Sequence, residues 1–94
     1  MKWKDAREQI LADPDVRAYY DSLAPLYALI EQAVNRRTEL NMSQKDLAAR
    51  MNTTQSVVSR IERGAIENIT VRTLNRMADA LGCSISYELK PKTT

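Results

Sequence analysis

Residues 43–64 read SQKDLAARMNTTQSVVSRIERG, and this stretch decides the fold. Ser43 followed three residues later by Asp46 is an acidic variant of the capping box, in which side chain and backbone satisfy each other's free donors. The spacing predicts a helix that opens at Ser43 and ends near Met51. Asn52 and Thr53 make a tight turn, Thr54 caps a second helix over 55–63, and Gly64 stops it. Leu47 and Met51 on the first helix can meet Val58 and Ile61 on the second across that turn. Ala48 falls where two steeply crossing helices approach closely and only a small side chain fits. Asn52 falls where the chain must reverse, and Asn adopts the left-handed conformation more readily than most non-glycine residues.

Outward from this unit the chain reads as helix on both sides. Upstream, Leu26, Leu29, Ile30, Ala33, Val34 and Leu40 form the apolar face of a helix that Pro25 is expected to open. Arg37 falls on that same face. A guanidinium turned toward a core is costly without a partner, so a carboxylate elsewhere in the chain is expected to meet it. Before Pro25, Asp13 and Pro14 mark the start of another helix to about Leu23, carrying Val16, Tyr19 and Tyr20. Residues 2–12 give a short, narrow helical stripe of Trp3, Ala6 and Ile10 with Leu11 beside it. Downstream, Thr70 caps a helix with Val71, Leu74, Met77, Ala78 and Leu81 on its inner face, ended by Gly82. Residues 83–89 alternate with period two, placing Cys83, Ile85, Tyr87 and Leu89 on one face of a half-buried strand.

Composition limits the function classes. With 44% hydrophobic and 28% charged residues, the chain suits a single globular domain rather than a disordered tail. It holds no histidine and one cysteine, Cys83, so neither a conventional zinc set nor an internal disulfide is expected. There is no nucleophile–base pair and no glycine-rich phosphate loop, so the expectation is a non-enzyme without cofactor or metal. There is no long apolar run and no apolar leader, and a reducing cytoplasm is the expected location. The net charge of +2 is unevenly spread: from Asp5 to Glu31 six acids face two bases, whereas the stretch from Ser43 onward is net basic. One half therefore suits nucleic acid and the other a basic partner.

The set Ser43-Gln44, Asp46-Leu47-Ala48, Thr53-Thr54-Gln55-Ser56, Val58-Ser59-Arg60, Ile61-Glu62 and Gly64 resembles the phage Cro and cI repressors, the XRE-type helix-turn-helix. The resemblance spans roughly residues 29–81, with Asn41 and Asn52 standing where the family usually has glycine. It implies an all-α fold: a five-helix Cro/cI-type bundle, here with an N-terminal helical extension and a short C-terminal strand. It further implies that Gln55, Ser56, Ser59 and Arg60 enter the major groove of operator DNA and that Gln44 meets a phosphate. Ser43, Thr54 and Arg63 complete the expected DNA-binding set. The residues agree: Gln pairs bidentately with adenine and Arg with guanine. For Arg37 the resemblance supplies Glu62 as the partner in a structural ion pair.

The chain divides in this reading into an N-terminal extension (1–24), the helix-turn-helix domain (25–82) and a C-terminal strand and tail (83–94). That layout is similar to the host-inhibition-of-growth antitoxins (HigA-like) of type II toxin–antitoxin modules. The resemblance implies a small basic messenger-RNA-cleaving toxin of the RelE/HigB type as partner, and repression of the shared operon by an antitoxin homodimer. Trp3, Ile10, Leu11, Tyr19 and Tyr20 are the candidate toxin-contacting residues. The alternatives are a stand-alone XRE-family repressor with no toxin and a protein-interaction module that no longer binds DNA. Gln44, Gln55 and Arg60 argue against the second.

Overall fold

A computed structural model describes residues 12–93, which contain four helices. They are α1 (Pro14–Glu39), α2 (Gln44–Arg50), α3 (Gln55–Glu62) and α4 (Val71–Ala80). Each starts at a residue whose side-chain oxygen accepts from the first turn. Asp13 Oδ1 accepts from the backbone N–H of Asp15 at 2.9 Å, and Thr54 and Thr70 accept from Val57 and Thr73 at 3.3 and 3.1 Å. At α2 the box is complete in both directions: Asp46 N–H donates to Ser43 Oγ and Ser43 N–H to Asp46 Oδ2, both at 2.9 Å. Those bonds from Ser43 hold the Asp46 carboxyl below its ordinary pKa.

Left-handed residues end the same helices. Asn41 (φ 56°) follows α1 and Asn52 (φ 57°) follows α2, so asparagine serves where glycine would ordinarily stand. After Asn52, Thr53 N–H reaches back to the Ala48 carbonyl at 2.9 Å, and this closure fixes the angle at which α3 leaves the turn. The fully buried centre is Leu47, Val58 and Ile66, surrounded by Ile30, Met42, Ala48, Met51, Ile61, Leu74, Met77 and Leu81. Helices α2 and α3 therefore pack against each other while α1 and α4 brace them from the sides.

Three expectations from the sequence are corrected. The helices expected to end near Leu23 and to begin at Pro25 are one 26-residue helix, with Pro25 inside it. Proline deprives the Asp21 carbonyl of its helical partner, but it sits on an exposed face where water can serve that oxygen. On the opposite side Tyr20 and Tyr27, two turns apart, stack across the position with ring centroids 5.3 Å apart, so packing carries the helix past the proline. Second, Leu40 is left 38% exposed instead of joining the apolar face, because α1 ends at Glu39 and the chain turns away at Asn41. Third, residues 83–93 form neither helix nor strand. Ile85 packs on the core and the Tyr87 hydroxyl donates to Asn75 Oδ1 at 3.1 Å, but Leu89 is 98% exposed. Among the described residues no backbone hydrogen bond is made beyond Cys83, since a single extended segment has no strand to pair with. Of the helix expected over 2–12, residues 2–11 lie outside the described residues, and Ala12 stands in the turn before α1.

Pro25 yields a prediction. Pro25→Ala restores an N–H donor in an exposed helical turn, so stability should rise by about 2 kcal/mol, the helix-interior penalty less the entropy that proline removes from the unfolded chain. Urea unfolding checks this; an unchanged or lower midpoint would mean that the proline itself contributes to the packing of α1.

Candidate nucleic-acid interface

The outer face of α3 follows from its periodicity. Val58 and Ile61 are buried and Val57 half-buried, which leaves Gln55, Ser56, Arg60 and Arg63 exposed and Ser59 at the margin. These five side chains border one shallow hollow on the surface. Among the described residues, Gln55, Arg60 and Arg63 make no side-chain hydrogen bond or ion pair within the chain. Their donors and acceptors are thus open to a ligand. Eight helical residues extend about 12 Å, comparable to the width of the major groove of B-DNA.

Behind this face is a half-buried polar cluster. Arg37 Nε donates to Glu62 Oε2 at 2.7 Å and Arg37 Nη2 to Glu62 Oε1 at 3.0 Å, a bidentate pair with side chains only 16% and 10% exposed. Arg37 Nη1 donates to the Met42 carbonyl at 2.8 Å. The structure thus brings Arg37 and Glu62 together, and the guanidinium spends its donors on the end of α3 and on the loop before α2. One further bond has no counterpart in the sequence reading: Gln44 Nε2 donates to Glu62 Oε1 at 2.9 Å. A second arginine, Arg36, donates from Nε to the Leu81 carbonyl at 3.1 Å and so ties the end of α4 to α1.

The expected DNA-binding residues therefore divide into two kinds. Gln55, Ser56, Ser59, Arg60 and Arg63 share the exposed face. Ser43 and Thr54 cap α2 and α3, where each hydroxyl oxygen accepts from the backbone and keeps its own O–H free to donate. Gln44 is half-buried and held by Glu62. Of the residues expected to contact a toxin, Tyr19 is 53% exposed, whereas Tyr20 is buried and stacked on Tyr27. Trp3, Ile10 and Leu11 lie outside the described residues. Among the described residues no group of side chains is arranged to hold a metal, and no helix is long and apolar enough to cross a membrane.

A family model described as helix-turn-helix (HTH_3) matches residues 35–87, more than half of the 94-residue chain. No curated protein and no solved structure matches it.

The half-buried ion pair makes a stability prediction. Arg37→Ala strands the Glu62 carboxylate in a site that is nearly closed to water and should cost about 3 kcal/mol. Arg37→Met combined with Glu62→Leu replaces two charges by apolar groups of similar size and should recover much of that loss. Denaturant unfolding of the single and double variants measures the coupling; a double variant as unstable as the sum of the singles would show the two residues to be independent.

Proposed function

Because the chain belongs to the helix-turn-helix family, of the XRE type, we propose that it is an operator-binding transcriptional repressor that acts as a homodimer in the cytoplasm. The observation that carries this reading is the unengaged face of α3, where Gln55, Ser56, Ser59, Arg60 and Arg63 stand together while the opposite face is locked into the core. In this reading α3 lies in the major groove. Gln55 reads adenine and Arg60 guanine, each by paired hydrogen bonds. Ser43, Gln44 and Thr54 meet phosphates, which set register without carrying sequence information.

The dimer reading rests on residues 83–89. Their backbone groups beyond Cys83 have no partners among the described residues, and Tyr87 and Leu89 are exposed. Antiparallel pairing with the same segment of a second copy satisfies those groups and sets two copies of α3 on successive turns of one DNA face, about 34 Å apart.

The operon-level reading is that of an antitoxin, with a small basic RNA-cleaving toxin of the RelE/HigB type bound by the N-terminal region. It is supported by the cap and first half of α1, where Asp13, Asp15 and Asp21 are exposed beside exposed Val16 and Tyr19. Apolar anchors among acids suit a basic partner surface, which the acids also attract during encounter. A stand-alone repressor uses the same α3 face and lacks only this partner.

The DNA reading predicts that Gln55→Ala and Arg60→Ala each weaken binding to a selected palindrome by about 1–3 kcal/mol and relax preference at one base position. Gel retardation against selected and random duplexes measures both effects, and removal of residues 83–94 in the same assay should leave a monomer that binds weakly. Wild-type behaviour of both α3 variants would remove α3 from the interface. The toxin reading is tested by growth rescue. Deletion of residues 1–13 should spare operator binding yet fail to protect cells that express the basic toxin encoded beside this gene. Full protection by the shortened protein would move the toxin contact to residues 14–27 or to the DNA-binding core, whereas failure of the intact protein to bind any neighbouring gene product would leave the stand-alone repressor.

A further inference from the structure

We infer that Glu62 is a positioning residue for DNA binding: its carboxylate selects which atom of the Gln44 side-chain amide faces a DNA phosphate. The inference rests on the DNA-binding reading above and adds a role that neither a core ion pair nor a surface glutamine has alone. An ionised carboxylate accepts hydrogen bonds and donates none. With Glu62 Oε1 2.9 Å from the Gln44 side chain, the amide must turn its nitrogen, not its oxygen, toward Glu62. One Nε2 hydrogen is consumed by that bond. The second hydrogen points away from it and remains a donor.

A free glutamine spreads over many rotamers and both amide orientations, most of which aim no donor at a phosphate, and the acceptor repels it. Glu62 removes that choice. Glu62 is in turn immobile because Arg37 occupies both of its oxygens, at 2.7 and 3.0 Å, and Arg37 is anchored at the Met42 carbonyl, one residue before the α2 cap. Arg37 also neutralises the carboxylate, which would otherwise repel the DNA backbone near Gln44. The relay therefore runs from the end of α1 through the last residue of α3 to the first residue of α2.

The test exploits a change that leaves net charge alone. Arg37→Met with Glu62→Leu removes one positive and one negative charge, so counterion release and the slope of affinity against salt should stay as in the wild type. A lost bond to an ionised oxygen corresponds to about tenfold in affinity. Binding is measured on a duplex that the wild-type protein selects from a random pool, and on an unselected duplex. Gln44→Met in the wild-type background should weaken binding to both by about tenfold, since a phosphate contact carries no sequence information. The Arg37→Met/Glu62→Leu protein should show a similar loss with an unchanged salt slope. Gln44→Met added to it should cost little more.

The inference is overturned if Gln44→Met is silent in the wild type, or if it costs its full factor in the Arg37→Met/Glu62→Leu background. Should that background fail to fold, the two Gln44 side-chain amide protons of the wild-type protein supply the answer by nuclear magnetic resonance. One should exchange with solvent distinctly more slowly than the other; equal, fast exchange overturns the role of Glu62. A wild-type protein that selects no duplex, or whose binding is indifferent to Arg60→Ala, would instead bring down the α3 reading on which the inference stands.

Discussion

Arg37 and Glu62 meet in a site largely shielded from water between the end of α1 and the end of α3, and the helix-turn-helix unit is organised around that contact. Helices of seven and eight residues, such as α2 and α3, are too short to persist in isolation. What holds them is the apolar cluster of Leu47, Met51, Val58 and Ile61, which is tolerant of rotation because dispersion and burial are not directional. A bidentate guanidinium–carboxylate pair is directional. It admits one rotation of α3 about its own axis, and that rotation turns Gln55, Ser56, Arg60 and Arg63 outward. The contribution of the pair is accordingly orientation more than net stability, since the desolvation of two charges offsets most of their attraction.

The turn adds the second constraint. Asn52 in the left-handed region and the Thr53-to-Ala48 hydrogen bond set the crossing of α2 and α3, and Ala48, 3% exposed, permits the close approach. The caps at Ser43 and Thr54 fix where both helices begin. Packing, turn geometry and the ion pair thus agree on one surface, which is the condition for presenting side chains to a rigid ligand without rearrangement.

Much of this arrangement is legible in the amino-acid sequence because its determinants are local. The caps at Asp13, Ser43, Thr54 and Thr70, the stops at Gly64 and Gly82, and the turn at Asn52 each depend on residues within one or two helical turns. An arginine on an apolar face announces its need for a carboxylate even before the partner is known. The features that were not legible depend on tertiary packing. Pro25 is a helix opener by local rules, yet the Tyr20–Tyr27 stack carries α1 through it. Ile66 sits in an irregular loop with no periodicity to mark it, yet it is among the most buried side chains. Gln44 shows no sequence signal for Glu62, eighteen positions away; only the fold brings the amide to the carboxylate. The alternation over 83–89 describes a strand, but a strand needs a neighbour, and the single chain offers none among its described residues.

We propose that the outer face of α3, held in place from behind by Arg37 and Glu62, is where this protein meets DNA. Amide chemical shifts recorded while a selected duplex is titrated into the isotopically labelled protein address it directly. The largest changes are expected on residues 54–63, with the side-chain signals of Gln55 and Arg60 among them and a second, smaller group at Ser43 and Gln44. Largest changes on the outer side of α4 or along residues 83–93, with α3 unmoved, would contradict it.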